Sequence, residues 1–208
     1  MSSAAALARE LGRPDIWPGR QLAAAPAVAT GWPALDQALP GRGWPQGALT
    51  ELLPAAEGIG ELSLLLPALR ELTSHDRPIV FVRPSHVPYA PALARAGLPL
   101  RRITWIAAGD DAEARWAAEQ ILRENAAGAV LLWSGVLGDT SLRRLQLAAQ
   151  EGQSLAFLYR PPHCLRQSSP AAVRLVLRPA PGALRIEVLK ARGGRDGAAI
   201  LCPLRAAA

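Results

Sequence analysis

Apolar positions along this chain follow two rhythms. Leu49–Leu53, Ile79–Arg83, Ile103–Ile106, Ala129–Trp133 and Ser154–Arg160 are short, nearly continuous apolar runs, the pattern of strands covered on both faces. Between them, Glu61–Thr73, Pro88–Ala96, Asp110–Ala126 and Ser141–Gln150 carry helical spacing. Strands alternating with helices of this length predict an α/β fold with a mostly parallel central sheet and a layer of helices on each side. After Arg160 the rhythm changes. Val173–Arg178, Leu184–Ala191 and Ala198–Leu204 alternate apolar with polar residues and are separated by Pro181-Gly182 and Gly193–Gly197, which predicts an antiparallel extension joined by hairpin turns.

The first 28 residues read differently. A weak helix around Leu7 and Leu11 stops before Pro14, Ile16-Trp17 follows, and Pro18-Gly19 breaks the chain ahead of an Ala/Pro-rich linker at Ala23–Val28. The expected organisation is a short N-terminal helix-strand arm with its linker over 1–28, and one core domain over 29–208. A body of that size can bury a core without staples.

Composition narrows the class. The 208 residues are half hydrophobic, with two cysteines, Cys164 and Cys202, too few for a disulfide scaffold or a four-thiolate zinc site. No apolar run approaches the ~20 residues of a membrane span, and Met1–Arg13 has no apolar stretch of the signal-peptide kind, so the expected location is the cytoplasm. The formal net charge is +6, and all the cations except Lys190 are arginine. That bias, with abundant Ala, Gly and Pro, is what a GC-rich genome produces. The balance permits weak, sequence-independent contact with DNA without requiring it.

The turn from the first strand into the first helix is the natural anion site of an α/β sheet. Here it reads Ala55-Ala56-Glu57-Gly58-Ile59-Gly60-Glu61-Leu62. A phosphate-binding loop of the G-x-x-x-x-G-K-[ST] type would keep Gly60, but Ala55 replaces the first glycine, Glu61 the lysine and Leu62 the hydroxyl that holds magnesium. A carboxylate in place of an ammonium repels a triphosphate, and Glu57 adds to the repulsion. No nucleotide cofactor and no hydrolysis are expected.

Around this loop the chain resembles the RecA ATPase core. Ala29-Thr30-Gly31, Leu35-Asp36, Leu39, Gly43 and Trp44-Pro45-Gln46-Gly47 look like its entry, and the later segments follow in order. Ser85, after Ile79–Arg83, stands where the catalytic glutamate belongs. Trp133 stands where the Walker B aspartate would hold magnesium, and Arg160 where the nucleotide-sensing glutamine would be. Val173-Arg174-Leu175 and Lys190-Ala191-Arg192 match the last core strands. A RecA-like core that has lost all of these groups, with Thr50–Leu53, Gly58–Leu62 and the Leu64–Leu69 stretch, resembles the ImuA family of SOS mutagenesis accessory proteins. That resemblance implies a pseudo-ATPase adaptor in the response to DNA damage, supporting error-prone translesion synthesis, with RecA and ImuB as partners. The related SulA family, inhibitors of the division protein FtsZ, shares the leucine-rich, proline-containing helix but is expected to be shorter. Its activity is the first alternative, and a nucleotide-dependent switch using Arg160 or Arg192 in place of lysine is the second. Pro67, read inside the helix, is expected to kink it.

Other constellations carry less chemistry. His75, His86 and His163 lack metal-ligand spacing, so no metal site is expected. Asp110, Asp111 and Glu113 read as the cap and acidic first turn of a helix. Trp105 and Trp133, in strands, are expected to be core. Ile16 and Trp17 are the candidate partner-binding residues, because an arm of helix then strand can add to the edge of a partner's sheet. Lys190, Arg192 and Arg195 around Gly193-Gly194 are the candidate DNA or partner contacts.

Overall fold

The computed structural model describes residues 26–135 and 137–204. A two-residue strand, β1 (Ala27–Val28), pairs antiparallel with β2 (Trp44–Pro45), and α1 (Pro33–Asp36) lies between them. The remaining elements alternate: β3 (Ala48–Pro54), α2 (Leu66–Ser74), β4 (Ile79–Val82), α3 (Ala90–Arg95), β5 (Ile103–Ile106), α4 (Asp111–Arg123), β6 (Ala129–Trp133), α5 (Asp139–Gly152), β7 (Leu155–Tyr159), β8 (Val173–Ala180), β9 (Ala183–Ala191) and β10 (Ala199–Pro203). Strands β3 to β10 form one eight-stranded sheet in the order β10-β9-β8-β3-β7-β6-β4-β5. All pairings from β8 through β5 are parallel; β8–β9 and β9–β10 are antiparallel.

Strand periodicity divides the core. Ile79 and Phe81, Ala129 and Leu131, and Leu155 and Phe157 face one layer with Leu65, Leu69 and Leu72 of the α2 region. Val80 and Val82, Val130 and Leu132, and Ala156 and Leu158 face the other, with Ala114, Ala118 and Leu122 of α4 and Leu142, Leu145 and Ala149 of α5. The mixed α/β sheet with helices on both faces is therefore present, as its apolar runs require. Between α4 and α5 the buried Glu119 accepts Arg123 at 3.0 Å and Arg144 at 3.0 Å. Where their C-terminal ends cross, a Cβ on Gly152 would lie 1.6 Å from the Leu122 carbonyl oxygen. Asp110 caps α4, its carboxylate accepting the Glu113 N–H at 2.8 Å.

Three expectations need correction. The first helix begins at Leu66, not Glu61, and Pro67 is in its first turn. There its missing N–H is one of the four that have no intrahelical partner anyway, so no kink results. Trp105 is 48% exposed, because β5 is the edge strand of the sheet and is covered less than the strands inside it. The antiparallel extension starts one strand late: β8 runs parallel to the central β3, and only β9 and β10 reverse. Among the described residues no helix is long and apolar enough to cross a membrane.

Candidate functional site

Four loops leave the C-terminal ends of β3, β4, β6 and β7 and enclose a cleft of about 590 Å³. In an open parallel sheet this is where ligands gather. Its floor is aromatic. Trp133 stacks on Tyr159 with ring centroids 4.4 Å apart and planes 9° apart, and it meets Phe81 edge-on at 6.0 Å. The rim is rich in proline, with Pro54, Pro84, Pro88, Pro161 and Pro162.

The degenerate phosphate loop forms one wall. Ala55 and Gly58 are exposed; Gly60, Glu61 and Leu62 are half-buried. Gly60 has φ +98° and packs against Leu204, where a Cβ would lie 2.3 Å from a Leu204 methyl group; both features call for glycine. The Glu61 carboxylate turns back on the loop, and its Oε1 accepts the Gly58 N–H at 2.9 Å. An N–H that could meet a phosphate oxygen thus already holds an internal anion. Helix α2 starts only at Leu66, so its N-terminal N–H groups do not open directly from Gly60, as they do in a phosphate loop. The Glu61 carbonyl accepts the Tyr159 hydroxyl at 3.2 Å. Burial, with Glu61 nearby, pushes that phenol well above its ordinary pKa of 10.0.

Across the mouth, His86 Nε2 lies 2.7 Å from Glu57 Oε2. Hydrogen bonding from Ser85, then from His86, holds the Glu57 carboxyl below its usual range. Arg83 is paired with Asp111. Ser85 lies on the rim of the cleft, and Trp133 supplies its aromatic floor. Among the described residues, three buried polar atoms of cleft residues have no hydrogen-bond partner: Ser134 Oγ, Arg160 Nε and Glu61 Oε2.

Behind the cleft is an ion cluster that sequence reasoning did not identify. Glu51 of β3 is fully buried and accepts Arg160 Nη1 at 2.7 Å on one oxygen and Arg174 Nε on the other. Arg160 also donates to Gln167 at 2.6 Å, and Arg174 to the Cys164 carbonyl at 3.2 Å. These cations therefore brace the β7–β8 loop. Lys190 and Arg192 extend the bracing, donating to the Ser169 carbonyl at 2.8 Å and the Pro170 carbonyl at 3.4 Å. Burial, then the neighbouring Arg192 and Arg174, lowers the Lys190 pKa. Arg195 is exposed. The structure brings Arg160 to the cleft but leaves Lys190, Arg192 and Arg195 out of its lining. Ile16 and Trp17 lie outside the described residues. Among the described residues no group of three His, Cys, Asp or Glu side chains is arranged to hold a metal ion.

A sequence model of the family described as cell division inhibitor SulA matches residues 47–156. Those 110 residues are more than half of the 208. The chain belongs to the SulA family. Within this ImuA- and SulA-related group, it is 35% identical over 101 residues to cell division inhibitor SulA of Edwardsiella piscicida, covering 48% of this chain and 60% of that protein. It is 28% identical over 202 residues to protein ImuA of Caulobacter vibrioides, covering 85% of this chain and 83% of that protein. Among solved structures, it is similar to the crystal structure of SulA from Pseudomonas aeruginosa, with 30% identity, a TM-score of 0.46, and coverage of 54% of this chain and 97% of that one. The SulA matches therefore take in about half of this chain, whereas the ImuA match takes in most of it.

Proposed function

We propose that this SulA-family chain is a non-enzymatic, RecA-like adaptor of the SOS response, acting in the cytoplasm through contacts with RecA and ImuB to support error-prone translesion synthesis. The observation that carries the non-enzymatic part is Glu61, whose carboxylate occupies the Gly58 N–H inside the loop. A nucleotide phosphate would have to displace that carboxylate and then sit beside it, without a lysine to neutralise the charge. The RecA-like reading is supported by the order of the sheet, with loop-bearing β3 an interior strand paired in parallel to β7 and β8, and β9 and β10 added antiparallel beyond β8. The ImuA reading is supported by a similarity that covers 85% of the chain.

The family match favours a second reading, inhibition of cell division through FtsZ. Co-purification of the tagged full chain with RecA, ImuB and FtsZ, each tested singly, separates the two. Retention of RecA or ImuB without FtsZ is the expected result. Retention of FtsZ alone would replace the adaptor with a division inhibitor.

A further inference from the structure

We infer that the open edge of β5 is a self-association surface, through which two copies of this chain pair antiparallel about a two-fold axis. β5 closes one end of the eight-stranded sheet, and among the described residues it pairs only with β4. The Ile106 carbonyl accepts the Arg83 N–H at 2.9 Å, so Ile106 and Thr104, two residues back, turn their main-chain groups toward β4. These groups alternate in direction along a strand, and those of Ile103 and Trp105 therefore point away from the sheet. An open row of this kind is a template for another strand, and edges are commonly guarded by lysine, proline or a bulge. Ile103-Thr104-Trp105-Ile106 carries no charge and no proline, and its register with β4 is unbroken. The opposite edge is guarded: β10 ends in Pro203, which has no N–H to offer. Trp105 is 48% exposed, a large apolar side chain left on the unguarded edge.

Charges at the two ends of the strand choose its occupant. Arg101 and Arg102 precede β5; Asp110, Asp111 and Glu113 follow it. Arg102 is paired with Asp76, and Asp111 with Arg83. Arg101, Asp110 and Glu113 are exposed and form no ion pair among the described residues. The two carboxylates each accept one main-chain N–H, Asp110 from Glu113 and Glu113 from Gly109, which leaves their negative charge in place. The strand is thus basic at its start and acidic at its end, and the surface complementary to it is the same strand reversed. Such a pairing is isologous and closes on itself. A two-fold axis through Trp105 sets the two Trp105 residues opposite each other, each N–H donating to the other's carbonyl, with both indoles on one face. It also brings Arg101 of each copy level with Gly109 of the other, whose N–H holds the Glu113 carboxylate at 2.7 Å. A parallel copy would set like charge on like.

Sedimentation of the full chain over a range of concentrations should show a monomer–dimer equilibrium that is mostly dimer at about 100 μM. Trp105→Lys, which adds the missing guard, should weaken it about tenfold or more. Leu201→Lys, at an exposed position on β10, should leave it unchanged. Melting temperatures check that each variant folds. The charges are tested between copies: Arg101→Glu and Glu113→Arg should each be monomeric alone, and an equimolar mixture should restore the dimer, because unlike copies then complement each other at both ends. A chain that is monomeric throughout, a dimer indifferent to Trp105→Lys, or one lost with Leu201→Lys would overturn the inference. A dimer that needs Trp105 but is not restored in the mixture would also overturn it, because a different segment of the second copy would then fill the edge.

Discussion

Replacing Glu51 by Gln tests the buried ion cluster. The substitution keeps the size of the side chain and removes the negative charge that lies between two guanidiniums whose side chains are 0% and 9% exposed. Removing one partner of a buried pair costs about 3–5 kcal/mol, because the other charge is left in a medium that solvates it poorly. Here two charges are stranded, so the upper part of that range, about 4–5 kcal/mol, is expected. Against a total stability of about 5–15 kcal/mol, this is a large fraction. With a urea slope of about 2 kcal/mol per molar, the unfolding midpoint should fall by about 2 M. Arg174→Met is the control. It leaves Glu51 and Arg160 as a neutral pair, and its loss should be less than half that of Glu51→Gln. Urea titrations of the three proteins followed by circular dichroism give both differences. A loss below about 1 kcal/mol for Glu51→Gln, or a larger loss for Arg174→Met, would refute the reasoning, because the guanidiniums would then be solvated well enough without the carboxylate.

Gly152→Ala should destabilise by about 3 kcal/mol or more, since its Cβ would lie 1.6 Å from the Leu122 carbonyl oxygen; thermal unfolding measures it. Burial raises the Cys202 thiol from its ordinary 9.0 to about 11, so between these values the folded chain binds more protons than the unfolded one, and stability falls as pH rises through that window. Urea midpoints from pH 8 to 11 should decline less in Cys202→Ala, and an equal decline would count against the thiol as a cause. For DNA, Arg192→Ala with Arg195→Ala should flatten the salt dependence of weak binding by about two in slope, whereas Lys190→Ala, whose ammonium is spent on the Ser169 carbonyl, should leave it unchanged; an unaltered slope in the double variant would assign DNA contact to another surface.

Much of the fold was legible because burial on both faces leaves a direct mark on sequence. Ile79–Val82, Ala129–Trp133 and Leu155–Tyr159 are apolar at every position and form interior strands of the sheet. Trp105 was misread because Ile103–Ile106 carries the same composition, and sequence does not say which strand ends at an edge. Pro67 was misread because a run of leucines hides where the helix starts. The residue identities of the loop around Glu61 are read from sequence, but its shape is not, because the chain runs on to Leu66 before the helix starts. The Glu51 cluster was not legible. A charge inside Leu49–Leu53 signals a buried partner, but Arg160 and Arg174 are 109 and 123 residues away along the chain. They meet Glu51 only because β7 and β8 both pair with β3. The aromatic floor was hidden for the same reason, as it joins three strands brought together by the sheet.

A non-enzymatic adaptor requires the phosphate loop to be filled by its own carboxylate, and ATP with magnesium tests that directly. Thermal unfolding of the full chain at millimolar ATP should give the same melting temperature as without it. A ligand that binds only the folded state must stabilise it, by about 2.7 kcal/mol at a hundredfold excess over its Kd. A rise of several degrees would therefore contradict the account. It would mean that a nucleotide displaces Glu61 from the Gly58 N–H.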